Sequence, residues 1–186
     1  MQTSLASLFA PLRSHRASAD DRIELVDGRR VAIAPVRAQD ANAERAFVGA
    51  LSLDARYRRF HFGLRELSPE AARAMAEVDQ HHHVAFVARP FGDPTIVADA
   101  RYVRRADSAD AEFAIAVADA WQGAGLGRAL LTRLSAHARA HNVRRLFGDV
   151  LWGNPAMLAL VRSLGGHMSR DARDATVVRV EWVFAP

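Results

Sequence analysis

The chain has 186 residues, 50% hydrophobic and 25% charged, which fits one globular domain able to bury a core without covalent or metal staples. It holds no cysteine and no lysine, which excludes disulfides, thiolate catalysis, cysteine-ligated metals, Schiff-base chemistry and a P-loop lysine. The net charge of +4 is spread over short arginine pairs with no zinc-finger, homeodomain or RNA-binding signature; mild attraction to an anionic cofactor fits this pattern as well as nucleic acid does, and nucleic-acid binding is not expected.

No run approaches the ~20 apolar residues of a membrane span. The opening residues are acid-free and carry arginine and serine, but their apolar run is only Leu8 to Ala10 before Pro11. Secretion is therefore not expected, and residues 1–27 read as a mobile or loosely packed tail ahead of a domain over 28–186. The cytoplasm is the expected compartment.

Val31 to Val36 reads as a strand, followed by a helix from Asp40 to Leu51. Ser68 as N-cap and Pro69 at the first helical position start a helix that runs to Val78. Strands over His83–Arg89, Thr95–Arg104 and Ala111–Ala118 are separated by polar turns. Leu126, Leu130, Leu131 and Leu134 then mark one broad face of an amphipathic helix. A strand over Arg145–Leu151 leads to a helix opened by Asn154-Pro155, with Met157, Leu158, Leu160, Val161 and Leu164 inward and Gly165-Gly166 closing it. Strands at His167–Arg170 and Thr176–Phe184 finish an α/β sandwich on a mixed, mostly antiparallel sheet.

The turn Gln122-Gly123-Ala124-Gly125-Leu126-Gly127 joins a buried strand to the leucine-striped helix. Glycines let backbone approach a ligand, and the free N–H groups of a helix start attract an anion such as pyrophosphate. The spacing is not the G-x-G-x-x-G of a dinucleotide fold, and the preceding strands look like a meander.

These residues resemble the GNAT superfamily of N-acetyltransferases. Gln122, Gly125 and Gly127 match its Q/R-x-x-G-x-G/A signature, and Asn154 with Gly165 match a second signature. The resemblance implies a mostly antiparallel central sheet with splayed central strands, flanked by helices. It implies that the backbone amides of Gly123, Ala124, Gly125, Leu126, Gly127 and Arg128 hold the pyrophosphate of acetyl-CoA. It further implies that Ile115, Ala116 and Val117 pair with the pantetheine arm, and that Asn154 contacts the same arm. A plain N-cap role for Asn154 stands beside that one. Many members carry, seven residues after this Asn, a Tyr that protonates the leaving thiolate; here it is Val161.

Transfer requires a neutral amine, yet an ammonium of pKa ~10.4 is neutral in fewer than about one molecule in a thousand at pH 7. Glu112, at the head of the apolar strand Phe113–Val117, is the candidate general base, its apolar surroundings expected to raise its pKa. A solvated strand-end glutamate is the bland alternative. The segments over 51–72, 82–88 and 111–131 resemble the catalytic domain of Pat-type protein lysine acetyltransferases, in which a glutamate matched by Glu112 is the proposed base. That implies a protein lysine as acceptor, for instance on an acyl-CoA synthetase. A small amine (polyamine, amino sugar or antibiotic) and a non-catalytic acyl-CoA sensor are the rivals, and a homodimer is left open.

Other residues read as structural. His81-His82-His83 is a polar strand entry rather than a metal site, since no third ligand follows at metal spacing. His137 and His141 lie four apart, as on an exposed helical face. Tyr57, Arg58, Arg59 and Phe60 fall in the segment that shapes the acceptor pocket by resemblance, with Tyr57 a stand-in for the absent acid.

Overall fold

A computed structural model describes residues 22–170 and 174–184. Strands β1 (Arg22–Glu24) and β2 (Arg30–Pro35) come first, then helices α1 (Ala41–Ala50), α2 (Leu53–Phe60) and α3 (Pro69–Ala76). The meander β3 (His83–Pro90), β4 (Ala98–Arg104) and β5 (Asp110–Val117) leads into α4 (Leu126–Ala140). The chain continues through β6 (Arg145–Leu151), α5 (Pro155–Ser163), β7 (His167–Arg170) and β8 (Val177–Val183). One eight-stranded sheet results, in the order β1-β2-β3-β4-β5-β6-β8-β7, antiparallel except where β5 meets β6. Among the described residues, no helix is long and apolar enough to cross a membrane.

Most expected elements appear within a few residues of their expected bounds. β4 starts at Ala98 rather than Thr95, because Asp93 Oδ1 accepts the Thr95 N–H at 2.8 Å and holds that stretch in the turn. β1 was not expected. The tail reading falls outside the described residues up to 21, but Arg22–Glu24 pair with β2, so the sheet begins before residue 28. α2 was not expected either. Ser52 caps it, accepting the Ala55 N–H, and no residue of α2 is fully buried.

The sheet has a core on each face. On one, the α4 stripe Leu126, Leu130, Leu131 and Leu134 is fully buried against Val84, Phe86, Tyr102 and Phe113. His137 belongs here too, and not to an exposed face. It is half-buried, with its Nδ1 3.0 Å from the Tyr102 hydroxyl and its ring against Phe86. On the other face α1 and α3 cover Ala85, Val87 and Ala116.

The feature that positions the site is the parallel pair. β5 and β6 are in register only at Asp110–Arg145, Ala111–Leu146 and Glu112–Phe147, although both strands run on for several residues. Arg145 pins the closed end, with its Nη2 2.6 Å from Asp110 Oδ2. The Phe113 ring, tilted against Trp182 with centroids 5.4 Å apart, lies where the strands part. Gly148 makes room: a Cβ there would sit 2.9 Å from the Phe113 ring and 3.0 Å from its carbonyl oxygen. Gly148→Ala is therefore expected to cost about 1–3 kcal/mol. In a thermal melt that is a drop of about 2–10 °C.

Candidate active site

Where β5 and β6 diverge, a cavity of about 560 Å³ opens through the sheet. Ala114, Ile115, Ala116 and Val117 form its β5 wall, and that edge presents backbone donors and acceptors with no partner strand beyond Glu112. A strand edge of this kind seeks an extended partner.

The glycine turn closes one end. Gly123 and Gly125 have φ of +76° and +90°, left-handed conformations that glycine adopts without steric cost. Gly125 is the N-cap of α4, so the first amides of that helix and of the turn before it form an anion-binding concavity. A Cβ at Gly123 would meet nothing within 4 Å, whereas one at Gly127 would lie 3.3 Å from Leu160, closing the gap between α4 and α5. Ala124 and Leu126 bury their side chains in the core, leaving only their amides for a ligand. Gln122 lines the cavity and also braces the turn, its side-chain amide donating to the Val117 carbonyl at 3.0 Å. Arg128 lines the same end and donates to Ser163 Oγ at 2.7 Å, tying α4 to α5.

Asn154 lines the opposite wall. Its Oδ1 accepts the Met157 N–H at 3.1 Å, so the N-cap role is filled and a ligand would meet the amide nitrogen. Val161 is fully buried in the core and forms no part of the cavity wall. Neither tyrosine lines the cavity: Tyr57 is half-exposed outside it and Tyr102 is buried on the α4 side.

Two carboxylates reach the cavity. Glu112 is exposed within it, and not buried against apolar surface as expected. Asp149, which the sequence did not single out, is bound by Arg179 through both oxygens at 2.6 and 3.1 Å. Arg58, Arg59, Phe60 and His61 from α2 and its end complete the acceptor side. Ser52 joins this helix to the approach of the glycine turn through Asp119, which accepts its hydroxyl at 2.8 Å and its N–H at 3.0 Å. Asp79 Oδ1 accepts the N–H groups of His81, His82 and His83, which organises that strand entry.

A splayed parallel pair, a glycine cradle at a helix start and an exposed carboxylate in one cavity define an acyl-group transferase site built for an extended, anionic acyl carrier. Residues 50–165 match the model of the acetyltransferase (GNAT) family, and the chain belongs to that family. An acetyltransferase of Pseudomonas aeruginosa, PA5475, is 34% identical over 156 residues, covering 83% of this chain and 84% of that protein. Acetyltransferase Pat of Mycolicibacterium smegmatis is 34% identical over 126 residues; the match covers 67% of this chain but only 37% of Pat. The crystal structure of the GNAT domain of S. lividans PAT superposes with a TM-score of 0.81 at 29% identity, covering 88% of this chain and 96% of that one. The protein is an acetyltransferase whose fold and sequence are close to the catalytic domains of Pat-type enzymes.

Proposed function

We propose that this enzyme transfers the acetyl group of acetyl-CoA to a primary amine, a protein lysine by preference, by direct attack in a ternary complex. The observation that carries the reading is a single cavity joining the glycine cradle, the open β5 edge and Glu112. Amides of Gly123 to Arg128 would hold the diphosphate, and the edge of Ile115, Ala116 and Val117 would hydrogen-bond the pantetheine arm. Acetyl-CoA supplies an activated thioester, and a backbone N–H of β5 facing the gap would polarise its carbonyl. Glu112 would take the proton of the attacking amine, directly or through one water, as the new C–N bond forms and the C–S bond breaks. With no tyrosine on the cavity wall, the departing thiolate would take its proton from solvent.

The acceptor side supports a protein lysine over a small polycation. A polyamine or amino sugar needs a surplus of carboxylates, but Arg59 and His61 stand there with Glu112, while Asp149 is paired with Arg179 and Arg58 with Asp54. A lysine on an acyl-CoA synthetase is the first protein acceptor to try. Calorimetry with acetyl-CoA, followed by thiol release on adding a synthetase, a lysine peptide or spermidine, tests the proposal. Roughly micromolar binding is expected, with at least about tenfold higher kcat/KM for the lysine substrates than for spermidine. Release with spermidine alone would overturn the acceptor, and absence of binding would overturn the role of the cradle.

A further inference from the structure

The helix that carries much of the acceptor side has little packing of its own. Arg58, Arg59, Phe60 and His61, on α2 and at its end, line the cavity, yet no residue of α2 is fully buried. Ala55 and Phe60 pack only in part on the core beneath α1 and α3. Eight residues are too few for a helix to persist on its own propensity. Arg58 pairs with Asp54 in the same helix, and Arg56 donates to the Arg65 carbonyl in the loop that follows, so neither ties α2 to the sheet.

The tie is made at Ser52. Its hydroxyl donates to Asp119 Oδ1 at 2.8 Å and its N–H to Asp119 Oδ2 at 3.0 Å, while the same Oγ accepts the Ala55 N–H at 3.1 Å. Both carboxylate oxygens are used. The bonds from the Ser52 backbone and hydroxyl hold the Asp119 carboxyl below the usual carboxylate range.

Asp119 in turn belongs to the segment that ends in the glycine cradle. It opens a single turn, Asp119–Trp121, which leads directly into Gln122. The β1–β2 hairpin fixes that segment from another side. Arg29 donates to the Ala120 carbonyl at 2.9 Å and places its guanidinium 4.1 Å from the centre of the Trp121 ring. The Val26 N–H donates to the Ala124 carbonyl at 3.2 Å. The turn is thus the firm end of the link and α2 the loose one.

We propose that Ser52 and Asp119 are a positioning pair for the acceptor: they lock the start of α2 to the turn that bears the acetyl-CoA cradle, and so set the acceptor-side residues of α2 against the thioester. The inference rests on the reading that the amine enters the cavity beside α2. Without the link, α2 has to be ordered each time an acceptor binds, which costs acceptor affinity and leaves acetyl-CoA affinity alone.

The test separates the link from the cap. Asp119→Ala removes the link. Ser52→Asp keeps a good N-cap for α2 but sets a second carboxylate against Asp119. Asp119→Asn keeps an oxygen for the Ser52 N–H and offers its amide to the side chain at position 52. KM and kcat with a lysine peptide, and acetyl-CoA affinity by calorimetry, are measured for each well below its melting temperature. Asp119→Ala and Ser52→Asp are expected to raise KM for the peptide about tenfold, with acetyl-CoA affinity within about twofold of wild type. Asp119→Asn should stay close to wild type, and the double variant Ser52→Asp/Asp119→Asn should recover the KM that Ser52→Asp loses. If Asp119→Ala does not fold, Ser52→Asp and its rescue decide. An unchanged KM in Ser52→Asp, or a folded double variant with no recovery, overturns the role of the pair. So does a loss of acetyl-CoA affinity as large as the rise in KM, since Asp119 would then shape the cradle. Wild-type protein that fails to bind acetyl-CoA, or binds it and acetylates no amine, overturns the reading of the site and this inference together.

Discussion

Glu112→Gln is expected to lower turnover with a lysine peptide by 10²-fold or more while leaving acetyl-CoA affinity within about twofold. The substitution keeps the size and one carbonyl oxygen of the side chain and removes its ability to take a proton. Glu112 sits at the last paired position of β5 and β6, opposite Phe147, where the cavity begins. Its exposure lets it pass an accepted proton to solvent, whereas a sealed carboxylate would need a relay. Asp149→Asn is the comparison. Arg179 holds both Asp149 oxygens, so that carboxylate has little freedom to meet an amine, and the variant is expected to lose less than about tenfold. Thiol release and calorimetry on the two variants decide between the carboxylates. A larger loss in Asp149→Asn would move the base from β5 to β6.

The parts of this molecule legible in its sequence are those whose signal is local. The leucine stripe of α4, the Ser68-Pro69 start of α3 and the glycine cradle each carry their cause within a few residues. Gly165 does too, with φ of +72° where α5 ends. α2 carried a weaker signal, a Ser52 cap with no proline after it. Leu53, Tyr57 and Phe60 do fall at i, i+4 and i+7, but eight residues with four charges make a weak pattern, Leu53 and Tyr57 stay exposed, and the Ser52 cap is itself held by Asp119, a contact across 67 residues. β1 is three residues long, with a single partly buried side chain, too short for alternation to show. A buried cluster in which Arg101 pairs with both Asp99 and Glu44 was hidden for a different reason. Asp99 and Arg101 alternate with alanines in β4, which reads as a strand with one wet face. Only the packing of α1 and α3 over that face turns the alternation into buried ion pairs.

Glu44 gives this buried charge a measurable consequence for stability. Burial, and after it the negative charge of Asp99, push its carboxyl up to about 8 against the pull of Arg101. The folded protein therefore keeps a proton that the unfolded chain, titrating near 4.5, has already released. Between those two values the native state binds more protons, so the contribution of Glu44 to stability falls as pH rises through that window. Its Oε2 has no hydrogen-bond partner among the described residues, which makes the ionised form costly. Glu44→Gln removes the titration, keeps an oxygen for Arg101 and adds a donor beside Asp99. It is expected to match the wild type at pH 5 and to exceed it at pH 9 by about 1–3 kcal/mol. At a few degrees per kcal/mol for a chain of this size, thermal melts at pH 5, 7 and 9 resolve the difference. Glu44→Ala should be the less stable of the two variants throughout, losing about 3–5 kcal/mol at pH 5 because it strips Arg101 of a partner and opens a void, with a smaller loss at pH 9 because it removes the same titration. If Glu44→Gln instead lost stability equally at all three pH values, Glu44 would be ionised in the folded protein, and Arg101 would outweigh both burial and Asp99.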